Sequence, residues 1–464
     1  MGKSEVRGPS RAPSGIHVEP MSVNSSIASK SLWTIGTYAV SAMIRFGGNV
    51  VMSRLLAPEI LGVVVIAQAV RLGCDLLTDL GPEQNVVHSP HGEDDRFLNT
   101  VWTMQIIRGV LVSLACLALS PVLAHFYRID VGVLMVVSAA PLINSLMSTS
   151  IFSAAKRMDV KTRNLIELVA EVVGLAINVS LVFALRSVWA PILGIVLSIA
   201  ARSALTYLLP HPRHRLTLDR RYTAQILSFS KWIMLSSVSF YAAVFADRLY
   251  LGRVVSLATL GVFGLAKVVS DLPGTVAGRL AFQIVFPFVA KHGDDFGTAS
   301  LARAELGRTR MHFLLIVLLG VGTVMAWSDW AVRLIYGQRY AEAGWMVCVL
   351  LVGGWISVLC SLNEATVFGR GSPRHVGFAN LLRFLTMAVV LPTGFHLWGL
   401  PGALLALPAS ELMRYAILLK AQRQLRTIFV GQDVVLSLVL LAVFGAWVLL
   451  RLTLGLREPW MLIG

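Results

Sequence analysis

Apolar runs of helical length alternate with short polar breaks along nearly the whole chain. They fall at roughly 30–53, 59–80, 98–126, 129–152, 160–185, 188–209, 226–251, 258–289, 309–336, 342–366, 374–397, 400–421 and 430–455. About 20 apolar residues span the hydrocarbon core as a helix. Backbone inside a bilayer must satisfy its own hydrogen bonds, so runs of this length mean helices. The alternating segments of about ten residues that mark a membrane barrel are not visible. The pattern predicts an all-α polytopic membrane protein with thirteen candidate spans. No break exceeds about 20 residues, well below the roughly 50 that a folded domain needs. Any activity must therefore reside in the helical bundle.

The largest break is basic, PHPRHRLTLDRRYT from Pro210 to Thr223, and it divides the runs into two sets. The expected organisation is a flexible cytoplasmic tail (1–29), an N-lobe of six helices (30–209), and a basic cytoplasmic linker (210–225). A C-lobe of six helices (226–421) follows, then a basic loop with an accessory thirteenth helix (422–464). A shift of 199 residues aligns RLLAPEILGVVVIAQAV (Arg54 to Val70) with RVVSLATLGVFGLAKVV (Arg253 to Val269) without a gap. Arg54/Arg253, Leu61/Leu260, Gly62/Gly261, Val63/Val262, Ala67/Ala266 and Val70/Val269 are identical. The copies are six spans apart, an even number, so both enter the membrane in the same direction. That predicts two lobes related by a parallel pseudo-twofold repeat, the plan of transporters that rock around a site between lobes.

Composition agrees. Charged residues make up 14% and hydrophobic ones 56%, against about 25% and 45–50% in soluble domains. An ordinary cytosolic enzyme and a disordered chain are excluded. The polar N-terminus has no apolar core of a signal peptide. Cys74, Cys116, Cys348 and Cys360 lie inside apolar runs without CxxC spacing and read as buried thiols, not as a disulfide framework or a zinc site. The net charge of +15 is mainly a topology signal. Most of the 40 Lys and Arg lie in the N-terminus and the breaks after even-numbered spans, including Lys156, Arg157, Arg213, Arg215, Lys291, Arg303, Arg308 and Arg310. Only Arg54, Arg128, Arg186, Arg253, Arg333, Arg339 and Arg457 fall on the opposite side. The positive-inside rule places the N-terminus in the cytoplasm. Nucleic acid is not an expected partner. Trp33, Trp189, Trp232, Trp327, Trp345 and Trp398 near span ends read as interfacial anchors.

The remaining cations lie within spans. Arg45, Arg71 and Arg108 fall near the middle of the first three. A cation at a helix centre costs about 2.5–3.5 kcal/mol even on insertion scales, so these must face a wet interior or pair with acids. Polar residues line up on single helical stripes: Ser41, Arg45 and Gly48 in span one; Gln68, Arg71, Asp75 and Asp79 in span two; Asn164, Glu167, Glu171 and Asn178 in span five. Asp247, Arg248, Lys267, Asp271 and Arg279 form a thinner counterpart in the second half. Two readings stand side by side. One is charge pairing, Arg71 with Asp75, and Arg108 with Glu167 or Glu171. The other is a cationic cavity for a phosphate or pyrophosphate headgroup, built from Arg45, Arg71, Arg108, Lys267 and Arg279. Arg45 leads it, since span one holds no acid. Asp75, Glu167, Glu171 and Asp271 are the candidates for ion coupling or pairing. Lys231, Arg202, Arg414 and Arg451 lie nearer span ends, where snorkelling suffices. No catalytic residue, metal site or cofactor is expected.

RLLAPEILG (Arg54 to Gly62) followed by DLG (Asp79 to Gly81) resembles the opening of Wzx-type polysaccharide flippases. These belong to the multidrug/oligosaccharidyl-lipid/polysaccharide exporter superfamily. ADRLYLGR (Ala246 to Arg253), LGVFGLA (Leu260 to Ala266), YGQRYAEAG (Tyr336 to Gly344) and FGRGSPR (Phe368 to Arg374) are similar to its later landmarks. The likeness covers roughly 28–425. It implies twelve core helices in two lobes and flipping of undecaprenyl-pyrophosphate-linked oligosaccharide units across a bacterial inner membrane. Exopolysaccharide, capsule or O-antigen assembly would follow, with a polysaccharide polymerase and chain-length proteins as partners. The family has no strict motif to carry over onto site residues. A drug/cation antiporter of the same superfamily is the alternative, although it would favour an acid where Arg45 stands. A membrane glycosyltransferase or polymerase would need a large outer loop or a soluble catalytic region. A purely structural subunit would leave the paired halves and buried charges without a role.

Overall fold

A computed structural model describes residues 21–157, 159–210, 214–292, 301–456 and 458–460, and these hold no strand. The N-terminal half comprises α1 (Met21–Leu55), α2 (Pro58–Leu77), α3 (Pro82–His88), α4 (Asp95–Tyr127), α5 (Val131–Val137), α6 (Ala140–Ser145), α7 (Ser150–Lys156), α8 (Val160–Leu185) and α9 (Trp189–Leu205). The C-terminal half comprises α10 (Arg220–Val254), α11 (Leu257–Leu280), α12 (Phe286–His292), α13 (Leu301–Ala326), α14 (Ser328–Tyr336), α15 (Ala343–Gly369), α16 (Pro373–Gln424) and α17 (Val430–Thr453). Helix starts follow local chemistry. Pro58 opens α2, where its missing N–H costs nothing. Asp159, Asp219 and Ser256 accept the free N–H groups at the starts of α8, α10 and α11.

Every apolar run maps onto helix, with informative departures. The fourth run is broken, with α5–α6 and α7 meeting at a 54° bend. The ninth ends at Ala326, and α14 follows as a separate short helix. α1 opens at Met21, inside the expected tail, while residues 1–20 lie outside the described residues. α16 doubles back at Trp398 and Gly399, the latter at φ 63°. There a Cβ on Gly394 would meet the Gly402 carbonyl at 2.4 Å, where a straight helix would hold them about 12 Å apart. Among the described helices, nine are long and apolar enough to cross a bilayer, and the bent α5–α7 segment makes a tenth.

α15 is the hub of the C-terminal half. Its most apolar stretch is 83% buried, against 17–39% in the other eight described helices long enough to cross a bilayer, and α11, α13, α14 and α16 pack around it. α17, the expected accessory helix, is bolted to this half by buried ion pairs. Asp433 pairs with Arg310 of α13 at 2.7 Å, both almost fully buried, and accepts from Tyr415 Oη at 2.7 Å. At the other end Arg451 grips Asp329 through two hydrogen bonds of 2.7 and 2.9 Å. Arg451 and Arg414 were expected to snorkel; instead both are buried in ion pairs, Arg414 with Glu364 and Glu411. Arg310, expected in a cytoplasmic loop, is likewise interior.

The halves meet where the repeat meets itself. α2 packs on α11 with no room for a side chain at either glycine. A Cβ on Gly62 would lie 2.0 Å from the Leu257 carbonyl oxygen, and one on Gly261 would lie 2.0 Å from that of Pro58. Pro58 and Leu257, like Gly62 and Gly261, are the same positions of the 199-residue repeat, so the two copies exchange roles.

The linker is not loose where it is described. Backbone N–H groups of Arg215, Thr217 and Asp219 donate to Asn99, Thr103 and Thr100 of α4 at 3.1, 2.9 and 3.4 Å. His214 stacks on Trp102. The first half of α10 then leans on the N-terminal half. Ile226 enters a core with Phe97, Val101 and Phe152. Ser230 donates to the Leu80 carbonyl, Ser237 to Asp79 and Tyr241 to the Ala69 carbonyl, at 2.5, 3.0 and 2.9 Å. These positions fall on one helical stripe. Cys348 and Cys360 are buried thiols as expected. Packing of α2 beside α4 brings Cys74 and Cys116 face to face, with Cα atoms 7.1 Å apart.

Candidate functional site

Among the described residues, two polar cavities gather predicted in-span charges. The first, of about 100 Å³, is lined by Thr37, Ser41 and Arg45 of α1, by Asn164, Glu167 and Glu171 of α8, and by Arg279 of α11. It thus takes residues from both halves. The stripe predicted on span one and that on span five face each other, which is why the pocket is polar between otherwise apolar helices. Arg45 Nη1 donates to Glu171 Oε1 at 2.5 Å, and Ser41 Oγ donates to Glu171 Oε2 at 2.5 Å. Asn164 donates to Thr37 at 3.1 Å. Glu167 is held by Arg163 at 3.4 Å and Arg202 at 4.0 Å, and Arg163 also clamps Glu83 of α3. Arg202, near its span end as expected, keeps its side chain 48% exposed while reaching Glu167.

The second cavity, of about 230 Å³, lies among α10, α11, α15 and α16. Asp247, Lys267, Asp271, Arg383 and Glu411 supply its charges. Lys267 pairs with Asp271 one turn on, Arg248 approaches Asp271 at 3.9 Å, and Arg383 pairs with Glu411 at 2.8 Å. Asp247 is buried at 2% exposure and accepts the Arg248 N–H.

The predicted cations separate into two kinds. Arg71 and Arg108 share Asp75, at 3.2 and 3.8 Å, in a cluster where all three side chains are under 20% exposed. Arg108 also donates to Thr78 at 3.1 Å and to the Asp75 carbonyl. The alternative pairing of Arg108 with Glu167 or Glu171 is not what forms. Asp75 is nearer because α4 packs against α2, whereas α8 packs chiefly on α1 and α9. Arg45, by contrast, is 49% exposed and Glu171 27%. The structure brings Arg45, Glu167, Glu171 and Arg279 to one accessible pocket, Lys267 and Asp271 to a second, and Arg71, Arg108 and Asp75 to neither. Both cavities pair cations with carboxylates. The absence of an acid from span one misled on this point, since Arg45 finds Glu171 across helices.

The residues that sequence reasoning left aside are Glu364, Arg383, Glu411, Arg414 and the Arg310–Asp433 pair. The signal was available: each is a charge within or beside an apolar run. Their pairing depends on helix contacts that no local spacing encodes.

A bundle of long apolar helices with charge-paired cavities defines a polytopic membrane protein. Its fold matches the lipid II flippase MurJ in an inward closed conformation, with TM-score 0.71 over 91% of this chain and 96% of that one at 11% identity. It also matches an inward-facing multidrug resistance MATE family transporter, with TM-score 0.64 over 83% and 94% at 14% identity. The chain belongs to the polysaccharide biosynthesis protein family, whose model matches residues 51–344. Among curated relatives it is 23% identical over 283 residues to the teichuronic acid biosynthesis protein TuaB of Bacillus subtilis (strain 168), an alignment covering 60% of this chain and 58% of TuaB. It is 21% identical over 281 residues to a membrane protein in the cps region of Klebsiella pneumoniae, covering 59% and 58%. The matches thus span somewhat over half the length of these relatives. Family and fold agree with the resemblance that the sequence motifs carried.

Proposed function

We propose that the protein flips a polyprenyl-diphosphate-linked oligosaccharide from the cytoplasmic to the outer leaflet of a bacterial inner membrane, with its N-terminus in the cytoplasm. The observation that carries this reading is the pocket holding Arg45 of α1, Glu171 of α8 and Arg279 of α11. It is polar, reachable and built from both halves, as a site read alternately from two sides must be. Arginine suits a diphosphate because its planar fork matches phosphate oxygens. The apolar tail stays in lipid while the headgroup crosses. The residues 30–209 and 226–421 are the rocking units. The reciprocal Gly62–Gly261 contact supports a twofold relation between them. No bond is made or broken, so transport needs no cofactor; a polymerase and chain-length proteins would take the product.

The test is a gene deletion in a producing strain. Lipid-linked repeat units should accumulate inside and surface polymer should vanish, both restored by the wild-type gene. Normal polymer in the deletion strain sinks the reading. A cation-exchanging drug transporter is the second reading, favoured by Asp271, whose side chain is 45% exposed beside the second cavity. Dye efflux from inverted vesicles in response to a cation gradient would favour it.

A further inference from the structure

We propose that Glu171 is the resident counter-ion of the headgroup site: in the empty protein its carboxylate holds the place that diphosphate oxygens take in the loaded one. This rests on the reading of the first cavity as a headgroup site.

The geometry singles out Glu171 among the acids of the bundle. Both its oxygens are engaged by donors from α1, one by the Arg45 guanidinium and one by the Ser41 hydroxyl, each at 2.5 Å. A charged fork and a hydroxyl that satisfy two oxygens of a carboxylate can satisfy two oxygens of a phosphoryl group in the same way. Glu167, one turn earlier, is gripped instead by Arg163 and Arg202 of α8 and α9. Asp75 is sealed between Arg71 and Arg108. At Arg45 and Glu171 both partners of the ion pair line the cavity that Arg279 of the other half also lines.

The exchange has a mechanical side. α1 packs on α8, and the bonds that fill the site are bonds between these helices: Arg45 and Ser41 to Glu171, and Asn164 to Thr37. A headgroup that displaces Glu171 therefore replaces a helix–helix contact by a helix–substrate contact, and α1 is freed from α8 as the site loads. On release the carboxylate returns to Arg45. An empty carrier then resets without a bare guanidinium in the membrane, where an unpaired charge is costly. The acid weakens binding and speeds turnover.

The test uses the full-length protein in detergent with farnesyl diphosphate as probe and farnesol as its uncharged control, beside export in cells. Glu171→Gln should bind farnesyl diphosphate about tenfold more tightly than wild type, the size of a typical coupling between two occupants of one site. It should nevertheless export polymer more slowly at equal protein levels. Arg45→Ala should lose the preference for the diphosphate. If wild type binds and Arg45→Ala does not, but Glu171→Gln binds no more tightly than wild type, the counter-ion role is overturned and the headgroup site stands. If wild type binds farnesyl diphosphate no better than farnesol, the headgroup reading falls and the counter-ion role with it. If the glutamine variant is not recovered folded, Glu171→Ala carries the same comparison, and unchanged or weaker binding there overturns the proposal.

Discussion

Replacing either glycine of the α2–α11 crossing by alanine should part the two halves there. The new Cβ at position 62 would sit 2.0 Å from the Leu257 carbonyl oxygen, about 1.4 Å short of the 3.4 Å at which ordinary contact begins. The obstacle is helix backbone, which cannot rotate aside as a side chain can. Overpacking of this kind costs about 1–3 kcal/mol. If the crossing exists only in the conformation described, that cost falls on one state and shifts the balance toward the other by about 5- to 150-fold. Gln68 reports the outcome, since it lines a crevice between the halves beside Gly261 and opposite Arg248. A cysteine placed there should react faster with a membrane-impermeant maleimide in Gly62→Ala than in the parent. Gly261→Ala should behave alike, because the two glycines exchange roles across the contact. Wild-type labelling rates and melting temperatures in both variants would refute the reasoning. A response in one variant but not the other would refute the reciprocity.

Three further outcomes are expected. Asp433→Asn should lower thermal stability by about 3–5 kcal/mol, since it strands Arg310 in a buried site, and pairing Arg310→Met with Asp433→Leu should recover much of the loss. Removal of Ser237 and Tyr241 hydroxyls by Ser237→Ala and Tyr241→Phe should cost about 1 kcal/mol each; the measure is faster proteolysis of the linker, as α10 loosens from α2. Asp329, in α14 outside the spans, carries a pH signature. Burial pushes its carboxyl up, but the hydrogen bonds and charge of Arg451 outweigh this and hold it below the ordinary value. A depressed folded value means stability that is present above the unfolded value of about 3.9 and lost as pH falls below it. The docking of α17 should weaken in acid, and Asp329→Asn should abolish that pH dependence in melting curves.

The helices were legible because each span carries its own signal: about 20 apolar residues bounded by polar breaks. One close contact was foreshadowed as well, since Gly62 and Gly261, which pack reciprocally, fall at one offset in the chain. The site was half legible. Stripes on spans one and five placed Arg45 and Glu171 on polar faces, but which face met which was set by packing. Arg45 therefore looked acid-free, and Arg108 was offered partners that α4 does not reach. Arg310, Arg414 and Arg451 show the same limit from the other direction: position near a run's end suggested water, whereas buried carboxylates from other helices hold them inside. Cys74 and Cys116, 42 residues apart, met for the same reason.

The docked linker has a consequence for how the chain could be divided. From His214 onward its hold on the N-terminal half is noncovalent, through three backbone hydrogen bonds to α4, a stacked imidazole and a stripe of α10. Continuity of the polypeptide is therefore dispensable at this point. Two separately encoded fragments, divided just before His214 and made in one cell, should recognise each other through that seam and reassemble a working protein. The same seam would let a duplicated ancestral half keep its partner before the two genes were fused.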